Sequence, residues 1–164
     1  MRNAACAGGG GRADSGLPGR DFAEMRPRGI APSLAYGLGT DFRAILAYEH
    51  LSRRDIPDWG VPAATIPGML NFNALASTAP RDNYYGLRSD FDNVNADTVL
   101  ARLEYDIAPN ATITNQTRWA EVHRSARYTV ITAYDLATTQ VTTQNQAYDR
   151  TNTTLTNLTN YSAK

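Results

Sequence analysis

The strongest constraint in this sequence is an alternation of apolar and polar residues that begins near position 98. Every second position carries an apolar side chain, and most positions between them are polar; the apolar set is Val99, Ala101, Leu103, Tyr105 and Ile107. Because successive side chains of a strand point to opposite faces, this period of two predicts a β-strand with one apolar and one polar face. Similar patterns predict strands over 29–38, 42–53, 95–108, 111–134 and 141–160. The predicted fold class is all-β, an antiparallel meander.

The connections between these predicted strands are very unequal in length. Turn residues occupy 39–41 and 108–110, whereas 53–93 carries four prolines and no clear period. Such a long stretch without secondary structure is unusual inside a compact soluble domain. Short turns on one side and long loops on the other are typical of a transmembrane β-barrel. The chain is therefore predicted to be an incomplete segment of a barrel, with about five strands and 53–93 as a long external loop.

Composition argues against several classes of function. Sixteen Lys and Arg residues balance sixteen Asp and Glu residues, so no excess of positive charge favours binding to nucleic acid. No apolar run approaches the length of a transmembrane helix. Cys6 is the one cysteine, and His50 and His123 have no partner at ligand spacing, so we expect no disulfide, metal or other cofactor. No arrangement of nucleophile and base stands out, and we expect a protein that is not an enzyme.

The first fifteen residues differ in character from the rest of the chain. They are rich in Gly, Ala and Arg and show neither a helix period nor a strand period. Residues 1–15 are therefore predicted to be disordered, or to be a leader foreign to the remainder. Residues 16–164 are predicted to form the β-structured region.

Aromatic residues are expected at two heights if the apolar faces touch lipid. Tyr36, Phe42 and Tyr105 lie within a few residues of a short turn, which predicts one belt near the turns. Trp119 follows Asn110 by nine positions. At ~3.3 Å per residue and a tilt of ~45°, Trp119 lies roughly 20 Å above the turn, and this height predicts a second belt. Tyr48 is predicted to fall between the two belts.

Several sequence blocks resemble the barrel of TonB-dependent ferric-siderophore receptors, above all receptors for catecholate siderophores. The blocks occur in order and are Gly29-Ile-Ala-Pro-Ser-Leu-Ala35, Asp55-Ile-Pro-Asp-Trp-Gly-Val-Pro62, Tyr84-Tyr-Gly-Leu87 and Ala101-Arg-Leu-Glu-Tyr105. The resemblance covers about residues 14–164. It implies a location in the bacterial outer membrane, contact with its lipid, and uptake driven by the TonB complex through regions outside this slice. A middle slice of a barrel has two unpaired edges, so the fragment is not expected to transport anything alone.

The resemblance also implies a ligand, the ferric catecholate siderophore, which is anionic and aromatic. Flat rings and guanidinium groups suit such a ligand through stacking and cation–π contact. The candidate ligand-binding residues in the long loop are Trp59, Arg81, Tyr84, Tyr85 and Arg88. The alternative is that these are ordinary loop residues that pack the loop upon itself. Arg102, Glu104 and Asp106 of the polar face could meet a plug or pair across strands.

A second hypothesis about function stays open on the sequence alone. A soluble all-β module could use the long loops for binding or adhesion, with the apolar faces packed in a sandwich core. The two hypotheses differ in what covers the apolar face, which is lipid in the first and a second sheet in the other.

Overall fold

The computed structural model describes residues 4–13, 15–16, 22–69, 71–76 and 80–163, and most of them lie in one antiparallel sheet. The strands are β1 (Ala4–Ala7), β2 (Gly10–Arg12), β3 (Ser15–Gly16), β4 (Glu24–Met25), β5 (Pro27–Ile30), β6 (Ser33–Tyr36), β7 (Phe42–Asp55), β8 (Phe91–Ala108), β9 (Ala111–Asp135) and β10 (Gln140–Ala163). A turn of 3₁₀ helix, Ala63–Thr65, lies between β7 and β8. Within these ranges no helix is long and apolar enough to cross a membrane.

The long strands follow the predicted meander, because β6, β7, β8, β9 and β10 pair in sequence order. Each pair is antiparallel, and the tight connections at 39–41 and 108–110 lie where the sequence predicts them. Gly37 begins the first turn with φ +74°, and a Cβ there would lie 2.1 Å from the carbonyl oxygen of Phe42. Only glycine fits that position. The all-β fold class and the open, unclosed sheet are confirmed.

Two predicted boundaries differ from the structure. The predicted strand 29–38 is interrupted at Ala31 and Pro32, which separate β5 from β6. Proline has no N–H to donate, but the Pro32 carbonyl accepts a 3.0 Å hydrogen bond from the Tyr48 N–H, so the register against β7 continues. β8 begins at Phe91 and β7 ends at Asp55, so the long loop is 56–90 rather than 53–93.

The described part of the first fifteen residues extends the sheet. β1 pairs with β6, where Cys6 lies opposite Leu34, and β2 pairs with β5, where Gly10 lies opposite Ile30. The structure therefore places 4–7 and 10–12 in strands instead of the predicted disorder. The division of the chain near residue 15, with a foreign leader, stays a prediction.

The sheet has one apolar face, which we call the outer face and define by Leu46, Leu103 and Tyr105. These side chains are 53%, 47% and 53% exposed, although each is large and apolar. We call the opposite face, with Arg43 and Glu104, the inner face. A soluble sandwich covers its apolar face with a second sheet. The described residues place only the short β3–β4 pair outside the main sheet, so this apolar face is left open.

Cross-strand register arranges five aromatic residues of the outer face, together with aliphatic ones, in two rows, while Tyr36 lies opposite Ala44 and belongs to neither. The row near the short turns is Phe42, Tyr105, Ile113 and Tyr161, each opposite the next. The second row, six positions further along the strands, is Tyr48, Val99, Trp119 and Leu155. The prediction that Tyr48 lies between the belts is therefore wrong, because pairing across β7, β8 and β9 puts it level with Trp119.

The apolar band on the outer face has the height of a membrane interior. It extends from Ile107, near the turn end of β8, to Ile30 of β5. Ile30 and Asp97 both lie opposite His50, so the height of the band equals the ten residues of β8 from Asp97 to Ile107. Ten residues at ~3.3 Å each, tilted by ~40°, rise about 25 Å. The lipid-facing band of an outer-membrane barrel has about this height.

Candidate functional site

The long loop is anchored to the sheet through the buried carboxylate of Asp90. Phe91, the first residue of β8, lies opposite Arg127, so β9 continues past the end of its neighbour. There, Asp90 accepts hydrogen bonds from the Thr129 N–H at 2.9 Å and from its hydroxyl at 3.1 Å. Asp90 and Thr129 are 3% and 2% exposed. The carboxylate thus replaces the missing backbone acceptor of β8 and fixes the base of the loop.

Tyr84 ties the two arms of the loop together. Its hydroxyl lies 3.2 Å from the carbonyl oxygen of Pro57 and 3.3 Å from that of Leu87, and it can donate to either. Burial, reinforced by the charges of Asp90 and Asp58, raises the pKa of Tyr84 to about 12. A Cβ at position 86 would lie 2.4 Å from the Tyr84 hydroxyl oxygen, so this closure requires Gly86.

Two of the predicted ligand-binding residues meet at Phe22. The Arg88 guanidinium lies over the Phe22 ring, 4.3 Å from its centroid, and the Tyr84 ring meets the same ring edge-on at 6.5 Å. Both geometries are attractive because an aromatic ring has a negative face and a positive edge. Arg88 and Tyr84 therefore belong to one cluster.

Trp59 makes a different ring contact, on the inner face of the sheet. Its indole stacks on the Tyr128 ring of β9, with centroids 4.4 Å apart and planes inclined by 25°. The Tyr128 hydroxyl donates to Gln146 Oε1 at 3.2 Å, which holds the ring in place across β10. Trp59 remains 54% exposed, so its second ring face is open to a ligand.

A guanidinium and a further ring lie near this stack on the same face. Arg124 of β9 is ion-paired with Asp92 of β8 through two hydrogen bonds of 2.7 and 2.5 Å, and it lies 5.2 Å from the centroid of the Tyr148 ring. Arg124, Tyr128 and Tyr148 are not among the residues predicted from the sequence. The alternation along β9 and β10 is the signal that could have found them. Followed beyond the apolar band to the loop end of these strands, it places all three residues on the inner face.

Two predicted residues remain, Tyr85 and Arg81. None of the contacts described for them brings them to this group. Tyr85 donates to the carbonyl oxygen of Pro80 at 3.0 Å, inside the loop itself. Arg81 is exposed on the same loop. Ligand contact by these loop residues stays a prediction. Across the described ranges, no group of three His, Cys, Asp or Glu side chains is arranged to hold a metal ion.

The opposite, turn end of the inner face carries an ion-pair network. Arg43 donates to Glu104 at 2.9 Å and to both oxygens of Asp106 at 2.6 and 2.8 Å, and Arg102 pairs with Glu104. Thr112 donates to Asp106 at 2.7 Å, so the network joins β7, β8 and β9. Cross-strand pairing, one of the two sequence alternatives, is confirmed. Contact with a plug stays a prediction.

Comparison with known proteins assigns this arrangement to a family. No family model matches the chain. The catecholate siderophore receptor Fiu of Escherichia coli O157:H7 is 39% identical over 119 residues, and that of Escherichia coli K12 is 38% identical over 122 residues. The chain is homologous to part of the TonB-dependent siderophore receptors. The match with either Fiu covers 69% of this chain and 16% of the receptor.

Solved structures of these siderophore receptors show the same fold. The open form of Fiu from Escherichia coli K12 matches with a TM-score of 0.86 and 31% identity over 98% of this chain and 27% of that chain. The siderophore receptor PiuA from Acinetobacter baumannii matches with a TM-score of 0.74 and 24% identity over 99% of this chain and 23% of that chain. The open sheet is therefore a segment of a receptor barrel, as the sequence predicts.

Proposed function

We propose that this chain contributes a section of wall and one external loop to an outer-membrane receptor that takes up ferric catecholate siderophores with the TonB complex. The apolar outer face then lies in lipid, and the inner face lines the lumen. The observation that carries the proposal is the stack of Trp59 on Tyr128, which leaves an open aromatic face at the loop end of the inner face. Among the described residues, nothing favours the soluble binding module.

The chemistry of this end of the barrel suits an anionic aromatic ligand. A catecholate ring can stack on the open face of Trp59, and its charge can meet the guanidinium groups of Arg124 and Arg88. The ion pair between Arg124 and Asp92 holds the first of these groups over Tyr148. The proposal includes contacts from Arg81, Tyr84 and Tyr85, but Tyr84 acts mainly by closing the loop. No step in this proposal involves catalysis.

A chimeric receptor tests the proposal. This chain replaces the homologous segment of Escherichia coli Fiu in a strain that lacks other catecholate receptors, and uptake of radiolabelled iron from a ferric catecholate is measured. We expect uptake that requires TonB and that falls when Trp59→Ala and Arg124→Gln are combined. Arg118→Gln, on the inner face of β9 but six residues nearer the short turns than Arg124, is the matched control and should leave uptake unchanged.

Uptake at the level of the receptor-free strain, from a chimera that reaches the cell surface, contradicts the proposal. The flanking genomic DNA gives an independent test. A plug-coding sequence upstream, in the same or another frame, supports the assignment, and unrelated neighbours behind intact stop codons count against it.

A further inference from the structure

A group of polar side chains interrupts the apolar outer face where β9 pairs with β10. The four residues, which we call the midplane cluster, are Asn115, Thr117, Asn157 and Thr159. Asn115 lies opposite Thr159, and Thr117 lies opposite Asn157. On the β8 side, Asn115 lies opposite Leu103 and Thr117 lies opposite Ala101. Residues directly opposite each other point to the same face, so all four belong to the outer face.

The midplane cluster lies near the middle of the apolar band. The band spans β8 from Asp97 to Ile107, so Leu103 and Ala101 stand on either side of its centre. A strand tilt of ~40° shifts each neighbouring strand by about 3 Å in height, which keeps the whole cluster inside a band about 25 Å tall. Large apolar side chains bound the cluster at both ends, namely Trp119 and Leu155 toward the loops and Ile113 and Tyr161 toward the short turns.

The two amides of the cluster bind each other reciprocally. Asn115 Nδ2 donates to Asn157 Oδ1 at 3.1 Å, and Asn157 Nδ2 donates to Asn115 Oδ1 at 3.2 Å. Each amide nitrogen carries a second N–H, which goes to a threonine hydroxyl. Asn115 donates to Thr159 at 2.8 Å, and Asn157 donates to Thr117 at 2.6 Å. These four bonds fix the shape of the cluster and use all of its amide donors.

Two groups of the cluster keep hydrogen-bonding capacity. The Thr159 hydroxyl accepts from Asn115, and its own proton has no acceptor among the residues that the structure describes. Asn157 Oδ1 accepts one bond from these residues, although a carbonyl oxygen can accept two. Acyl chains satisfy neither group, and a polar group without a partner is costly in the interior of a membrane. A neutral protein partner at the same depth, with one donor and one acceptor, satisfies both.

We propose that the midplane cluster is the contact through which two copies of the receptor pair side by side in the membrane. The inference rests on the proposed function, because it requires the outer face to lie in lipid. A second copy has the same depth and orientation, so a two-fold axis along the membrane normal brings cluster against cluster. The contact is self-complementary, since each copy offers a hydroxyl donor and a carbonyl acceptor. Leu155 and Tyr161, which are 70% and 65% exposed, add apolar contact beside it.

Sedimentation equilibrium of the chimeric receptor, in a detergent matched in density to the solvent, tests the inference. The closed barrel of the chimera excludes association through open strand edges. We expect a dimer, and combining Asn115→Val with Asn157→Val should raise its dissociation constant about 10-fold, because both amides are lost from each copy. The same variant should resist urea in lipid vesicles at least as well as the unchanged chimera, since valine suits a lipid-facing position better than asparagine.

The matched control combines Gln116→Val with Asn160→Val, which removes one amide from each of the same two strands. Gln116 lies opposite Leu158 and Asn160 opposite Thr114, so both belong to the inner face. The control should dimerise with the dissociation constant of the unchanged chimera. A monomeric chimera overturns the inference, and so does a dimer that survives the loss of Asn115 and Asn157 unweakened. Equal weakening in both double variants overturns it as well.

Failure of the proposed function gives a different result. In the chimera reconstituted into vesicles, Leu103→Cys should resist a water-soluble maleimide that modifies Asp82→Cys at an exposed loop position. If the two cysteines react equally fast, the outer face is not in lipid and both proposals fall. If Leu103→Cys is protected and the chimera takes up iron as a monomer, only the pairing inference falls.

Discussion

The indole ring of Trp59 lies flat against the phenol ring of Tyr128, with ring centroids 4.4 Å apart. Trp59 belongs to loop 56–90 and Tyr128 to β9, so this contact fastens the loop to the inner face of the sheet. A stacked aromatic pair contributes about 0.5–1.5 kcal/mol beyond the burial of its surface. A contribution of that size is small enough for a ligand ring to compete with the contact.

Removing the platform should free the tryptophan. In a Trp119→Phe background, Tyr128→Ala should increase quenching of Trp59 fluorescence by acrylamide, because the ring loses the face that Tyr128 covers. Tyr148→Ala is the control, since that ring lies beside Arg124. Quenching that is unchanged in Tyr128→Ala would show that the stack does not hold the loop in solution.

The Asp90 anchor should control protection of a specific amide. Asp90→Ala removes the acceptor of the Thr129 N–H, and leaving that donor unsatisfied should cost about 2 kcal/mol. Hydrogen exchange measured by mass spectrometry should show faster exchange at Thr129 and through the 84–90 arm of the loop. Asp82→Ala, at an exposed loop position, should leave exchange at Thr129 unchanged. Equal effects of the two substitutions contradict the anchor.

Tyr84 should give the loop a pH limit on the alkaline side. Its pKa is raised from 10.0 to about 12, chiefly because the hydroxyl is buried, so the folded loop favours the neutral phenol. This contribution to stability is complete below pH 10 and disappears as the pH rises through 12. Absorbance titration of tyrosinate should show a late component that Tyr84→Phe removes and that Asp58→Asn shifts to lower pH. A late component that survives Tyr84→Phe contradicts this origin.

Charge on the outer face should be far more damaging than charge on the inner face. Leu103→Arg should cost about 2–4 kcal/mol of unfolding free energy near the midplane of the band. Thr114→Arg should cost less, because Thr114 lies opposite Glu104 on the inner face. Urea titrations of both variants in lipid vesicles measure the difference. A larger loss for Thr114→Arg would reverse the assignment of the faces.

Glu104 is a poor inner-face control for that experiment, although the sequence alone makes it an attractive one. Alternation shows that Glu104 and Leu103 lie on opposite faces of the sheet. It does not show that Glu104 accepts a hydrogen bond from Arg43 and forms an ion pair with Arg102. Glu104→Arg would remove both contacts and add a third positive charge. Its cost would report the ion-pair network rather than contact with a wet lumen.

The sequence predicts the strands well because alternation is a local property. The long strands β7 to β10 were predictable within a few residues from the spacing of side chains such as Leu103 and Glu104. Turn residues such as Gly37 set the order of pairing, since neighbouring strands joined by a tight turn must be antiparallel. The sequence blocks shared with siderophore receptors identify the family because they, too, are local stretches of sequence.

The sequence by itself determined the all-β meander, its two faces and the family, because these depend on periodicity and on turns between neighbours. Only the tertiary structure decided register across several strands, which puts Tyr48 level with Trp119. It also decided which loop residues reach the sheet. Trp59 meets Tyr128 and Arg88 meets Phe22 because Asp90 fixes the loop to β9, and such contacts between residues distant in sequence leave no local period to read.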